Sequence, residues 1–282
     1  MIALFDVPAP AKLNLFLHIT GRREDGYHLL QSVFALIDWC DTLHFEPRQF
    51  GAISRQDLGQ ALPANDLVIR AATALQLASG TALGAHISID KQIPAQAGMG
   101  GGSSDAATCL LALNRLWGLG LSVEKLSRIG LTLGADIPFF LSGRNAWVEG
   151  VGENITPVNL DPPGRYLVVK PPTGLATQRI FADNGLIRDT KTATLSGFAE
   201  DPKGFGRNDL QAVAQRLCPD VTQALQWLSD MGLEGRMTGS GSAVFAWMDR
   251  DLDLGDAPNG FQVRECRGLN AHPLYGWANS ES

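Results

Sequence analysis

Polar and apolar residues alternate along residues 12–20 (KLNLFLHIT), a period of two that turns successive side chains to opposite faces of a strand. Residues 21–26 (GRREDG) read as a turn, so a hairpin-like opening follows, with further short strands predicted over 33–37 and 42–45. Helical spacing begins at LVIRAATALQLA (67–78), which Asn65 or Asp66 can cap. Alternation returns in HISID (86–90). Beyond a glycine-rich stretch, AATCLLALNRLW (106–117) is apolar on nearly every face and predicts a helix buried on most sides. Ser122 caps another amphipathic helix, with Glu124 in its first turn, Leu126, Ile129 and Leu133 on one side and Gly134 at its end.

Residues 159–165 (NLDPPGR) interrupt this pattern with two prolines and a glycine, and YLVVK (166–170) resumes as a strand before Pro171 and Pro172. The interruption predicts two domains, residues 1–160 and 161–282, of a size that 282 residues can fill. In the second, a helix after Asn208 and another over 221–229 precede a glycine-serine turn (238–242) and a strand AVFAW (243–247). Strands and helices mix without a strict βαβ repeat, which predicts the α+β class.

Composition narrows the partners. Apolar residues at 45%, charged residues at 18% and a mean hydropathy of -0.00 belong to a folded, soluble chain. Acidic residues outnumber basic ones, 29 to 23, for a net charge of -6, the wrong sign for holding nucleic acid by counterion release. No stretch approaches the length of an apolar membrane span, and the first twenty residues lack a signal-peptide pattern. Cys40, Cys109, Cys218 and Cys266 form no CxxC pair and have no histidine at ligand spacing. Neither a protein-built metal site nor a disulfide framework is expected, and reduced thiols point to the cytoplasm. Oligomeric state leaves no mark in the pattern.

The segment GMGGGSS (98–104) is four-sevenths glycine and runs straight into the apolar helix. Without Cβ atoms several backbone N–H groups can converge on one point, where the helix adds the positive end of its dipole. Phosphate fits such a cradle, and Ser103 or Ser104 can add a hydroxyl to the phosphate or to its Mg²⁺. The spacing matches neither GxxxxGK[ST] nor a dinucleotide GxGxxG, so Walker and Rossmann readings fall away. A flexible surface turn is the plain alternative, and the position between a strand and an apolar helix argues against it. Gly239, Ser240, Gly241 and Ser242 repeat the same composition in the other half of the chain.

The run Pro94, Ala95, Gln96, Ala97, Gly98, Met99, Gly100, Gly101, Gly102, Ser103, Ser104 resembles the phosphate-binding motif of the GHMP small-molecule kinases. PAKLNL (10–15), Gly26-Tyr27-His28, GADIP (134–138) and TGSGSA (238–243) resemble the branch of that family that phosphorylates 4-diphosphocytidyl-2-C-methyl-D-erythritol. The resemblance implies an N-terminal domain like the second domain of ribosomal protein S5 and a ferredoxin-like C-terminal domain, with both substrates between them. It also implies ATP as co-substrate with Mg²⁺. The reaction it implies is transfer to the 2-hydroxyl of that alcohol, giving the 2-phosphate and ADP, in the non-mevalonate route to isoprenoid precursors.

By the same resemblance, the ATP phosphates lie along Pro94 to Ser104, Asp136 is the base, and Lys12 lies beside it. Tyr27 stacks on the cytosine and His28 meets its edge, with Thr177, Phe181, Gly239 and Ser240 around the substrate. Strand parity places Asn14 on the same side as Lys12. Many relatives carry Leu and Asn where this chain has Met99 and Asp105. Asp105 therefore either lies near Mg²⁺ or turns into the helix cap. Asn208 and Asp209 are assigned a structural role. Three alternatives remain: a GHMP kinase for another alcohol such as homoserine or mevalonate, an inactive GHMP-fold binding protein, and an RNA-binding role suggested by the S5-like fold. The base-stacking Tyr27 and His28 weigh against the first, the presence of Lys12 and Asp136 against the second, and the net charge against the third.

Overall fold

Residues 2–160 and 164–280 are described in a computed structural model of the chain. Strands β1 (Leu4–Arg22) and β2 (His28–Arg48) form a long antiparallel hairpin whose tip is the expected turn. β3 (Ile53–Asp57), β4 (Gly84–Asp90), β5 (Ala146–Gly150) and β6 (Asn154–Pro157) complete a six-stranded sheet, ordered β3-β4-β2-β5-β6 with β1 also on β2. The two short strands expected over 33–37 and 42–45 are thus one. Pro10 faces Cys40 but Ala11 faces Ile37, so Asp38 and Trp39 bulge from β2, and this break in pairing mimics a strand end in the sequence. A second irregularity between Asn14 and Leu17 explains why Leu15, Phe16 and Leu17 are all apolar: the alternation changes face there.

Helices α1 (Leu67–Ser79), α2 (Gly101–Leu116), α3 (Val123–Leu131) and α4 (Ile137–Ser142) pack with this sheet. Asp66, rather than Asn65, caps α1, its side chain accepting from the N–H of Ile69 at 3.1 Å. Ser122 caps α3 as expected. Helix α2 is buried from Ser104 through Asn114, in keeping with its all-round apolar sequence.

Beyond Pro157 the strands join a different sheet: β7 (Arg165–Lys170), β8 (Gly235–Met237), β9 (Val244–Trp247) and β10 (Gln262–Arg267), ordered β10-β7-β9-β8 and antiparallel throughout. Fourth, first, third, second is the strand order of a ferredoxin-like sheet. Residues 161–163 of the interrupting segment lie outside the described residues. The crossover from β7 to β8 carries α5 (Thr177–Phe181), α6 (Leu195–Glu200), α7 (Gln211–Leu217) and α8 (Pro219–Asp230). The first two lie in polar, weakly periodic sequence and were not expected, whereas α7 and α8 are the two helices foreseen. The return from β9 to β10 has no helix among its residues.

Strand β7 is buried on both faces, which is why YLVVK is nearly continuous in apolar residues. Leu167 and Val169 face α7 and α8, joining Val213, Val221 and Leu228. Tyr166 and Val168 face Leu13, Leu15 and Val33 of the first sheet. The two sheets are therefore joined by a shared apolar core. Residues after β10 fold back onto the first half: Leu269 N–H donates to Leu36 O at 2.8 Å, and Leu274 enters the α1–α4 core.

A buried charge cluster underlies α2. Lys91, just after β4, pairs with Asp41 of β2 and lies 2.6 Å from Asp105 of α2. Helix α2 begins at Gly101, so Asp105 sits in its second turn and caps nothing; the helix has no side-chain cap. One oxygen of Asp105, Oδ1, has no hydrogen-bond partner. Burial, helped by neighbouring Asp41, pushes the Asp105 carboxyl well above the usual carboxylate range although Lys91 opposes it. A carboxyl whose folded pKa is raised stabilises the fold at low pH and loses that contribution as pH rises, because the unfolded chain ionises first. Asp105→Asn removes this loss. Its melting temperature should equal or exceed that of the parent at neutral pH, with the advantage growing as pH is raised above the usual carboxylate range; a lower melting temperature at neutral pH would overturn the assignment.

Candidate active site

A cleft of about 1130 Å³ opens where the β1–β2 hairpin, the start of α2, α5 and the loop between β8 and β9 meet. Single-ligand pockets usually span roughly 300–1,000 Å³, so this cleft is just above the large end of that range. His28 and Phe181, whose rings are neighbours, form with Tyr27 an aromatic end of its lining, which also includes Leu62, Asp66, Leu67 and the glycine-rich loop.

The loop is shaped by its partner loop. Gly98 has φ +73, and a Cβ on it would lie 2.2 Å from Thr238 O; Gly239 has φ +52, and a Cβ there would lie 2.6 Å from Gly98 O. The two glycine turns touch backbone to backbone, which no larger residue allows. Carbonyls along the loop are taken up by protein donors. Gln96 O accepts from Ser242 N–H at 3.0 Å, Ala97 O from Ala243 N–H at 3.2 Å, Gly98 O from Thr238 Oγ1 at 3.4 Å and Met99 O from Lys12 N–H at 3.0 Å. The lone pairs that would repel an anion are thereby engaged. At the start of α2 the N–H groups of Gly101, Gly102 and Ser103 have no carbonyl a turn earlier to bond, so the helix presents them with its positive dipole end.

Lys12 and Asn14 share one side of β1, and the Lys12 ammonium donates to Asn14 Oδ1. Asn14 is held in turn: its N–H donates to Thr238 Oγ1 at 2.9 Å and its amide to Ser32 Oγ at 2.9 Å. Lys12 Nζ lies 3.6 Å from Asp136 Oδ2 and 4.4 Å from the centre of the Phe34 ring. Asp136 precedes α4 and keeps 32% of its side chain exposed, whereas Lys12 keeps 4%. Burial lowers the pKa of Lys12, and the carboxylate of Asp136 only partly offsets it.

At the aromatic end Tyr27 is 64% exposed on the hairpin tip. The His28 ring lies 5.0 Å from that of Phe181 with 35° between planes. Burial, then the cations Arg188 and Arg22, lower the His28 pKa, favouring a neutral imidazole. Thr177 Oγ1 and Ser240 Oγ are 2.7 Å apart, tying α5 to the second glycine turn. Asn208 braces that turn by donating to Met237 O at 2.7 Å and Gly239 O at 2.8 Å, while Asp209 accepts from Ile19 N–H at 2.8 Å.

Every residue given a catalytic, phosphate-binding or substrate-binding role in the sequence lines this cleft except Ser104. Its hydroxyl turns inward and donates to Pro10 O at 2.7 Å, and its N–H is already bonded to Gly100 O, so of the two loop serines it is Ser103 that offers a hydroxyl to the cleft. Asp105 is held by Lys91 and does not turn into the helix cap. Sequence reading missed Lys91, Arg22 and Arg188. Lys91 could have been noticed as a cation three residues ahead of Pro94, but Arg188 lies in polar sequence without any motif.

The family models described as GHMP kinases N terminal domain and GHMP kinases C terminal match residues 66–144 and 192–257. A protein of Albidiferax ferrireducens named 4-diphosphocytidyl-2-C-methyl-D-erythritol kinase is 68% identical over 281 residues, covering 100% of this chain and 98% of its own. One of the same name from Paracidovorax citrulli is 64% identical over 284 residues, covering 100% of both. A crystal structure of 4-(cytidine 5'-diphospho)-2C-methyl-D-erythritol kinase is similar at a TM-score of 0.77 and 32% identity, covering 95% of this chain and 100% of the other. With two touching glycine turns, a buried lysine beside a carboxylate and full-length relatives of this kind, the chain belongs to the GHMP kinase family, in the group of the 4-diphosphocytidyl-2-C-methyl-D-erythritol kinases.

Proposed function

We propose that the chain transfers the γ-phosphoryl group of ATP to the 2-hydroxyl of 4-diphosphocytidyl-2-C-methyl-D-erythritol, releasing ADP and the 2-phosphate. The reading is carried by one arrangement: the Lys12–Asp136 pair, the free N–H groups of α2 and Tyr27, His28 and Phe181 all line one cleft. Phosphoryl transfer asks a protein mainly to position its reactants and to stabilise charge on the transferring oxygens. The N–H groups of Gly101, Gly102 and Ser103 cradle the ATP phosphates. Asp136 accepts the alcohol proton at Oδ2. Lys12, kept in place by Asn14 and Asp136, stabilises the carboxylate and the transferring phosphoryl oxygens. Tyr27 and Phe181 offer aromatic surface to the cytosine, and Thr177, Gly239 and Ser240 border the remainder of the alcohol.

The donor set fits a Mg²⁺ carried by the nucleotide, since this ion keeps several waters and needs few protein oxygens, and Ser103 would hold it from the protein side. When bound, the ion neutralises charge on the phosphates. Asp105 lines the same cleft but its Oδ2 is already engaged by Lys91. The change of sheet between Pro157 and Arg165 supports domains of residues 1–160 and 161–282, with the segment after β10 returning to the first. Four free cysteines support a cytoplasmic setting.

With ATP and Mg²⁺, ADP release should be seen with the cytidine-bearing alcohol and not with homoserine, mevalonate or no alcohol. Turnover with either of the other alcohols would discard the base-binding end of the reading. Asp136→Asn should lower kcat by about 10²–10⁴-fold while ATP affinity measured by titration stays within about threefold; near-normal turnover would remove Asp136 as base. Lys12 must be charged to act, and its lowered pKa means that charge is lost earlier as pH rises. The alkaline limb of kcat/KM should therefore fall below the 10.5 of an ordinary lysine and move upward in Lys12→Arg. A limb at or above 10.5 in the parent would overturn this.

A further inference from the structure

Arg188 lies in the loop after α5 and contacts both walls of the base-binding end. Its Nε–H points at His28 Nε2 from 2.9 Å. Its Nη1–H donates to Leu186 O at 2.9 Å, and Nη2 to Phe181 O at 3.1 Å and Asp183 O at 2.8 Å. One planar guanidinium thus fixes the turn that carries Phe181 and the ring that stacks on Phe181.

A guanidinium has donors and no acceptor. In the Arg188–His28 contact the lone pair must therefore sit on His28 Nε2. A neutral imidazole has one N–H, which leaves the proton on Nδ1, and Nδ1 has no protein hydrogen-bond partner among the described residues. The cations Arg188 and Arg22 beside the ring, together with its burial, oppose a second proton.

We propose that Arg188 is a positioning residue that holds His28 as its Nδ1–H tautomer against Phe181, so that this end of the cleft presents a donor and selects a base offering an acceptor there. At ring position 3, where the donor would meet the base, cytosine carries an acceptor nitrogen, whereas uracil carries an N–H. A ring free to turn or to change tautomer would pair with either base. With Arg188 in place only the first pairing is made without leaving a donor facing a donor. The inference rests on the reading that Tyr27, His28 and Phe181 receive the base.

The direct test needs no variant. In a long-range ¹H–¹⁵N spectrum of the full chain near neutral pH, with His28 assigned by its disappearance in His28→Gln, the ring should be neutral with the proton on Nδ1. An Nε2–H tautomer or a charged ring would overturn the proposal. In steady-state kinetics, Arg188→Met should raise KM for the cytidine-bearing alcohol by about tenfold or more while kcat and KM for ATP change less than about threefold. Its preference over the uridine-bearing analogue should shrink by a similar factor. Because Arg188 acts through His28, the double variant Arg188→Met/His28→Ala should be no worse than His28→Ala alone. Fully additive losses would show that Arg188 merely supports the loop after α5 and would overturn its role through His28. Should His28→Ala itself leave KM for the alcohol unchanged, the base-binding reading beneath the proposal fails instead.

Discussion

The backbone contact between Gly98 and Gly239 is the constraint on which the site depends. A Cβ at either position would collide with the other loop's backbone, so neither turn could keep its shape alone. Because the donors of Thr238, Ser242 and Ala243 consume carbonyls of Gly98, Gln96 and Ala97, the second glycine turn is part of the phosphate cradle although it is some 140 residues further along the chain. Thr238 extends the connection to β1 through the N–H of Asn14, which in turn holds the Lys12 ammonium. The geometry of the candidate catalytic pair is thus tied to the geometry of the anion site.

An acidic protein can hold two polyphosphates in this way without a basic surface. The cleft's positive charge comes from a helix end with unbonded N–H groups and from Lys12, whose burial makes its field less screened than that of a surface lysine. Burial also lowers its pKa, so the same seclusion that strengthens the field narrows the pH range over which the charge exists. Lys91 is the contrasting case. It is equally close to the loop, but the side chains of Asp41 and Asp105 surround it, and together they outweigh burial to raise its pKa. Its charge is spent inside the protein, anchoring α2 beneath the cradle.

Legibility in the sequence followed the range of the interactions involved. Alternation in KLNLFLHIT placed Lys12 and Asn14 on one side of β1, and the capping residues of α1 and α3 were visible because caps are local. The glycine loop was legible through its composition, and the family motifs placed Tyr27, Asp136, Thr177 and Phe181 at one cleft before any fold was known. Features made by distant pairing were hidden. The bulge at Asp38 and Trp39 divided one strand into two, and the inward turn of Ser104 depends on a carbonyl 94 residues away. The ion pair of Asp105 was hidden for the same reason, since its position in a helix is local but its partner Lys91 belongs to another element.

The shared core between the sheets gives these pieces a common frame. Leu13 and Leu15 of β1 pack on Tyr166 and Val168 of β7, so the strand bearing Lys12 is fixed against the half of the molecule that bears α5 and the second glycine turn. Close-packed cores of this kind resist displacement, because sliding one sheet over the other opens voids that cost contact energy. The distance from the anion cradle at α2 to the aromatic end at Phe181 is therefore set by side-chain packing outside the cleft. A chain whose phosphate loop and base-binding residues come from different halves needs such a rigid seam. Without it, neither Thr177 on Ser240 nor Arg188 on His28 would have a fixed partner to meet.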